Sequence, residues 1–99
     1  QNATNFNQDI SSWDTSEVES MRGMFNNATA FNNGDTAGGS NNPLTWDTGS
    51  VTDMNWMFYN ATNFTQEIDS WKTNNVTNCQ SFSNNSVTVP ASFPDICKQ

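Results

Sequence analysis

Along the chain, large apolar residues stand singly or in pairs among polar ones, and the same arrangement returns after 25 residues. Residues 6–30 read FNQDISSWDTSEVESMRGMFNNATA, and residues 64–86 read FTQEIDSWKTNNVTNCQSFSNNS. Phe6 thus corresponds to Phe64, Ile10 to Ile68, Trp13 to Trp71 and Val18 to Val76, while Cys79 stands where Met21 would be. The middle unit, residues 31–63, is eight residues longer, yet its second half matches residues 13–30 position for position. Its extra residues fall in the 33–43 stretch, where Gly, Asn and Pro supply turn geometry and no apolar anchor, so a loop is expected there.

A fixed period of this length predicts a stacked architecture, because one unit cannot bury its own Phe, Ile, Trp, Val and Met. Between Phe6 and Trp13 the anchors alternate with Asn, Asp and Ser, which predicts a short strand paired with its equivalents in adjacent coils. Val18, Met21, Met24, Phe25 and Ala28 then follow a spacing of three and four, which predicts about one and a half turns of helix. Ser16, with Ser50 and Asn74 as its equivalents, is suited to cap that turn. The expected fold is a repeat solenoid whose coils each hold a short strand plus a helical turn. Its divisions are the end of a truncated repeat at 1–5, repeats at 6–30, 31–63 and 64–88, and a C-terminal cap at 89–99.

Composition changes the picture in two ways. Leu, Ile, Val and Phe make up 16 of 99 residues and the net charge is −7, a combination that by itself reads as disorder. Twelve aromatic residues and four methionines at fixed spacing supply the missing buried area. With no His, three basic and ten acidic residues, a histidine triad, a His-ligated metal and a nucleic-acid surface lose their raw material. No apolar run is long enough for a membrane-spanning helix.

The strings FNQDISSWDTS and MFxNAT, with the V-x-x-M-x-x-MF pattern, resemble the BspA-like leucine-rich-repeat surface proteins, whose unit also occurs in mycoplasma surface lipoproteins. The resemblance covers residues 1 to about 86. It implies a right-handed strand-and-turn solenoid displayed outside the cell and used for adhesion or for matrix or protein contact, with no catalytic residues. The chain departs from the pattern in the eight-residue insertion, in Lys72 where Asp14 and Asp47 stand, and in Cys79 and Phe82 where two methionines would be.

Cys79 and Cys97 form either one disulfide or two buried thiols. As a disulfide they would pin the non-repeating tail over the open end, close about 19 residues for about 3 kcal/mol, and imply an oxidising compartment. Asn-x-Ser/Thr acceptors occur at Asn2, Asn27, Asn60, Asn63, Asn75 and Asn84, the pattern of a glycoprotein, although 17 Asn and 23 Ser or Thr give about four such triplets by chance. Asn2, Asn27 and Asn60 share one repeat position, so they form either a row of sugars or an asparagine ladder. A chain that starts at Gln1 looks processed, with its export signal removed. Residues 1–5 are half of a repeat. Either another chain completes it, which leads to a head-to-tail fibre, or the sequence is a fragment of a longer array.

Asp9 and Glu67 share a repeat position, as do Asp14 and Asp47; such pairs suit a general acid and base or calcium, against the simpler reading of solvated acidic faces. Thr15, Thr48 and Thr73 form a column suited to hydrogen bonds with turns. Trp13, Trp46 and Trp71 fit a core stack better than a sugar platform. Trp56 and Tyr59 occur only in the middle unit and are the contact candidates, for protein or glycan, unless Trp56 merely covers its own turn. The expected function is an extracellular, secreted or cell-surface module of structural or adhesive kind, self-associating head-to-tail as a subunit of a glycoprotein fibre. The alternative is a monomeric protein- or glycan-recognition module using the 33–43 loop with Trp56 and Tyr59. Neither reading calls for enzymatic chemistry, a metal or a cofactor.

Overall fold

Each buried backbone amide needs an acceptor, so the course of the chain can be followed through where its amides go. In the computed structural model, which describes residues 3–84 and 87–98, alternate amides of Met21, Gly23, Phe25 and Asn27 donate to the carbonyls of Asp53, Asn55, Met57 and Tyr59, each at 2.8 Å. Met54, Trp56 and Phe58 donate in turn to Asn78, Gln80 and Phe82 at 2.7–3.0 Å. Residues 21–27, 54–60 and 78–84 therefore lie side by side as three tiers, each giving hydrogens to the next in chain order.

The expected solenoid of strands and helical turns does not form. Among the described residues the regular structure is one 3-10 helix, Asp95–Lys98, and two isolated parallel bridges, Ser20 with Asp53 and Asp53 with Asn78. The helical turn fails for a local reason. Gly23 (φ 64°) and Asn27 (φ 61°) are left-handed, a conformation that interrupts a right-handed helix. The amides that a helix would pair four residues back are spent on the neighbouring tier, or on tight turns such as Met24 to Met21 and Ala28 to Phe25. The strand fails because residues 6–13 spend their amides elsewhere: those of Ile10 and Ser11 donate to side chains, Asn33 Oδ1 (2.8 Å) and Asp9 Oδ1 (3.0 Å), and those of Phe6 and Trp13 close turns on the Ala3 and Ile10 carbonyls.

Side chains at equal positions nevertheless meet. Trp13 stacks on Trp46 and Trp46 on Trp71, both with ring centroids 6.2 Å apart and planes within 8°. Phe6, Phe31 and Phe64 form a second column at 5.6 Å spacing. Phe58, fully buried, lies against Phe25, Phe64, Trp71 and Phe82. Parallel offset rings at these separations add to the area they bury. Hydrogen bonds lock the columns: Trp46 Nε1 donates to the Ile10 carbonyl (2.9 Å) and Trp71 Nε1 to that of Leu44 (2.7 Å). The buried Thr15 and Thr48 hydroxyls donate to the carbonyls of Asp47 and Lys72.

The two ends of the stack differ. At the C-terminal end Phe93 covers Trp71 (6.4 Å) and meets the edge of Phe82 (5.7 Å). A disulfide joins Cys79 to Cys97, both buried. At the other end, over residues 6–24, Trp13 is 52% exposed, and Phe6, Val18 and Met24 are only partly buried.

Candidate functional site

Trp56 sits at the tier position that Gly23 holds in the first tier and Ser81 in the last, and all three are left-handed (φ 63°, 64° and 52°). The position is imposed by the tier, because its amide donates to the Gln80 carbonyl at 3.0 Å. Glycine accepts such a backbone freely, whereas a bulky L-residue there costs on the order of 1–2 kcal/mol. Trp56 bears that strain while remaining 38% exposed, with its ring 4.8 Å from that of Tyr59 at a tilt of 58°. The Trp56 ring is thus presented, with the half-buried Tyr59 against it, from a backbone held by the next tier. Arg22 reaches across the tiers to Asp53, N to O 3.6 Å.

The 33–43 loop is built differently from what its composition suggests. Asn32 and Asn33 are fully buried. Asn33 Oδ1 accepts the Ile10 amide, and its Nδ2 donates to Ser11 Oγ (2.7 Å) and to the Asn42 carbonyl (2.9 Å). Asn32 Oδ1 accepts the Thr65 amide, and its Nδ2 donates to the Thr36 and Gly39 carbonyls. Gln66, 5% exposed, closes the set with Nε2 on the Asn32 carbonyl and Asp35 Oδ2. At Gly34 (φ 83°) a Cβ would lie 3.0 Å from the Asp9 amide nitrogen, so only glycine fits against that chain. Hydrogen bonds from the Asn41 amide, then Gln66 and Thr36, hold the Asp35 carboxyl below its ordinary value of 3.8. The loop is fastened to Asn7, Ile10 and Gln66. Among the described residues no hydrogen bond or ring contact joins it to Trp56 or Tyr59. Sequence reasoning missed Asn32, Asn33 and Gln66 because asparagine beside glycine reads as solvated turn.

The remaining candidates fall as follows. Asn60 Nδ2 donates to Asn27 Oδ1 at 2.8 Å, and Asn84 Nδ2 donates to Asn60 Oδ1, so these acceptors form a hydrogen-bonded row. Asn75 Nδ2 donates to the Gly49 carbonyl at 2.7 Å. Asn2, and the Ser86 that completes the Asn84 triplet, lie outside the described residues. Asp9 and Asp14 turn to their own chain: the Ser11 amide lowers the pKa of the first, and the Ser16 hydroxyl, then its amide, lowers that of the second. Asp47 accepts the Gly49 amide. Among the described residues no three His, Cys, Asp or Glu side chains converge as a metal site. No helix of the described residues is long and apolar enough to cross a membrane.

Stacked aromatic columns, inter-tier backbone hydrogen bonds and a disulfide-fastened tail, with almost no regular secondary structure, define a layered, helix- and strand-poor protein. Over residues 1–93 the chain matches the family described as Mycoplasma protein of unknown function, DUF285, and it belongs to that family. Among curated proteins and among solved structures no match to the chain is found.

Proposed function

We propose that this protein is an extracellular, non-enzymatic adhesive module that contacts a protein or glycan partner through Trp56 and Tyr59. The observation that carries the reading is the left-handed Trp56 at a glycine-like position, held exposed beside Tyr59 at a local energetic cost. Strained, exposed aromatics concentrate at contact sites, where their burial by a partner repays the cost. The disulfide suits an oxidising, extracellular compartment. The finer kinship with BspA-like surface proteins is part of this proposal and rests on the shared motifs, not on their strand-and-turn fold. If the protein carries sugar, Asn63 is the favoured acceptor, since among the described residues nothing engages its side-chain amide, whereas those of Asn60, Asn75 and Asn84 are donors.

The test is to probe an array of glycans and extracellular-matrix proteins with the wild-type protein and with Trp56→Gly. Wild-type binding to at least one class that Trp56→Gly loses supports the reading. Equal binding by the two proteins, or binding by neither, overturns it.

A second reading, head-to-tail stacking into a fibre, is favoured by the first tier. There Trp13 is 52% exposed, and the buried Asn26 Oδ1 meets no donor among the described residues. It requires an open face at both ends, and the tail with Phe93 and Cys97 covers the last tier. Sedimentation at increasing concentration separates the readings: a single species of one-chain mass opposes the fibre, and unbounded growth supports it.

A further inference from the structure

Of the chain's 17 asparagines, Asn33 alone precedes a glycine. That pair has a chemistry of its own. With no Cβ at Gly34 in the way, its backbone nitrogen can attack the Asn33 side-chain carbonyl carbon. The new N–C bond closes a five-membered imide, and Nδ2 leaves as ammonia, taking up through water the proton that the Gly34 amide gives up. A water molecule then opens the ring to an aspartyl or an isoaspartyl residue, so the net change is one water consumed and one ammonia released.

The fold opposes each part of this reaction. The nucleophile is engaged, because the Gly34 amide donates to Asn7 Oδ1 at 2.9 Å. Asn7 is itself held in place: the same oxygen accepts the Asn32 amide at 2.7 Å, and its Nδ2 donates to the Asp35 carbonyl at 2.9 Å. The electrophile is engaged as well, with Asn33 Oδ1 on the Ile10 amide and Nδ2 on Ser11 Oγ and the Asn42 carbonyl. Full burial of Asn33 keeps bulk water from its side-chain carbonyl. Both residues are left-handed (φ 53° and 83°), and Gly34 lies so near Asp9 that a Cβ would meet its amide nitrogen at 3.0 Å. Turning the Gly34 nitrogen onto the Asn33 carbonyl carbon therefore requires the loop to come away from Asn7, Asp9 and Ile10.

The products do not fit where the asparagine did. An aspartate has no hydrogen for the Asn42 carbonyl and buries a charge against it. An isoaspartate carries the main chain through the former side chain, which lengthens the backbone by one atom beside Asp9 and displaces the carbonyl that met the Ile10 amide. We propose that Asn33 and Gly34 form a covalent modification site gated by the fold: it stays intact in the native protein, converts when the loop opens, and once converted bars the chain from refolding. The modification turns a transient unfolding into a permanent one and withdraws such chains from the folded population. It does not depend on adhesion through Trp56, and Trp56→Gly leaves it unchanged, so the two proposals fail separately.

The test incubates the disulfide-intact protein in mildly alkaline buffer with and without guanidinium chloride, and follows conversion at Asn33 by mass spectrometry of proteolytic fragments. In denaturant, Asn33 is expected to convert ahead of every other asparagine. In buffer it is expected to convert at least about 100-fold more slowly, because the reaction waits for the loop to open. Chains converted in denaturant, isolated and returned to buffer, are expected to lack the native amide spectrum that unconverted chains regain. In Asn7→Ala, its fold verified by the same spectrum, conversion in buffer is expected to be about tenfold faster than in the wild type, since the Gly34 amide has lost its acceptor. Comparable rates at Asn33 with and without denaturant, or recovery of the native spectrum by converted chains, overturn the proposal.

Discussion

Replacing Asn33 with Ala removes a fully buried amide that joins the first tier to the inserted loop. The Ile10 amide loses its acceptor in a buried setting, at a cost of about 1–3 kcal/mol. The Asn42 carbonyl and the Ser11 hydroxyl lose a donor, for about 1 kcal/mol each. Asn33 is also left-handed (φ 53°), where Ala is less tolerated than Asn by about 1 kcal/mol. The total is about 4–6 kcal/mol, a large share of the roughly 5–15 kcal/mol expected of a 99-residue domain. Asn33→Gly loses the same hydrogen bonds and not the backbone term, so it should be about 1 kcal/mol more stable than Asn33→Ala. Urea denaturation of the oxidised proteins measures both. A cost for Asn33→Ala below about 1 kcal/mol, or a glycine variant no better than the alanine one, refutes the reasoning.

Other consequences are equally direct. Reducing Cys79–Cys97, whose partners are 18 positions apart in sequence, should lower stability by about 3 kcal/mol, read as the shift of the urea midpoint with and without reductant; an unmoved midpoint contradicts it. Trp56→Gly should leave stability unchanged or raise it by up to about 1 kcal/mol, since it relieves a left-handed tryptophan; calorimetry that finds a loss above about 2 kcal/mol refutes the strain. Asp35, with its pKa held below 3.8, contributes stability that is present above that value and is lost as pH falls through the lower folded one. The acid limb of urea midpoint against pH should therefore be shallower in Asp35→Asn than in the wild type, and identical limbs speak against it.

How much of this was legible in the sequence depends on what kind of residue is asked about. Large apolar side chains declare themselves, because Ile10, Met21, Phe31, Trp46 and Val51 have few other places to go in so polar a chain, and all are buried. Backbone conformation was not legible in the same way. A spacing of three and four fits a helical face, but it equally fits successive tight turns broken by left-handed residues, and Gly23 and Asn27 decide for the turns. Periodicity reports which side chains share a side and not which carbonyl an amide selects. At the candidate contact edge, Trp56 and Tyr59 stood out because no repeat position required them, yet the strain at Trp56 needed the backbone to be seen. The buried asparagines were hidden by composition. Asn32 and Asn33 belong to a run that reads as solvated loop, and only their partners at Ile10, Thr65 and Asn42 reveal them as core.

A rigid, nearly strandless stack also explains how a small acidic chain presents an aromatic face without collapsing over it. Trp56 is fixed through backbone hydrogen bonds to the last tier, and the disulfide-fastened tail covers that tier. Adhesion through Trp56 and Tyr59 is the claim on which the functional account stands. Its most direct test is retention of beads coated with equal amounts of wild-type or Trp56→Gly protein on cultured epithelial cells under flow. The account predicts that wild-type beads are retained and that Trp56→Gly beads wash off at the rate of uncoated ones. Equal retention of the two coatings, with both proteins folded, would contradict it.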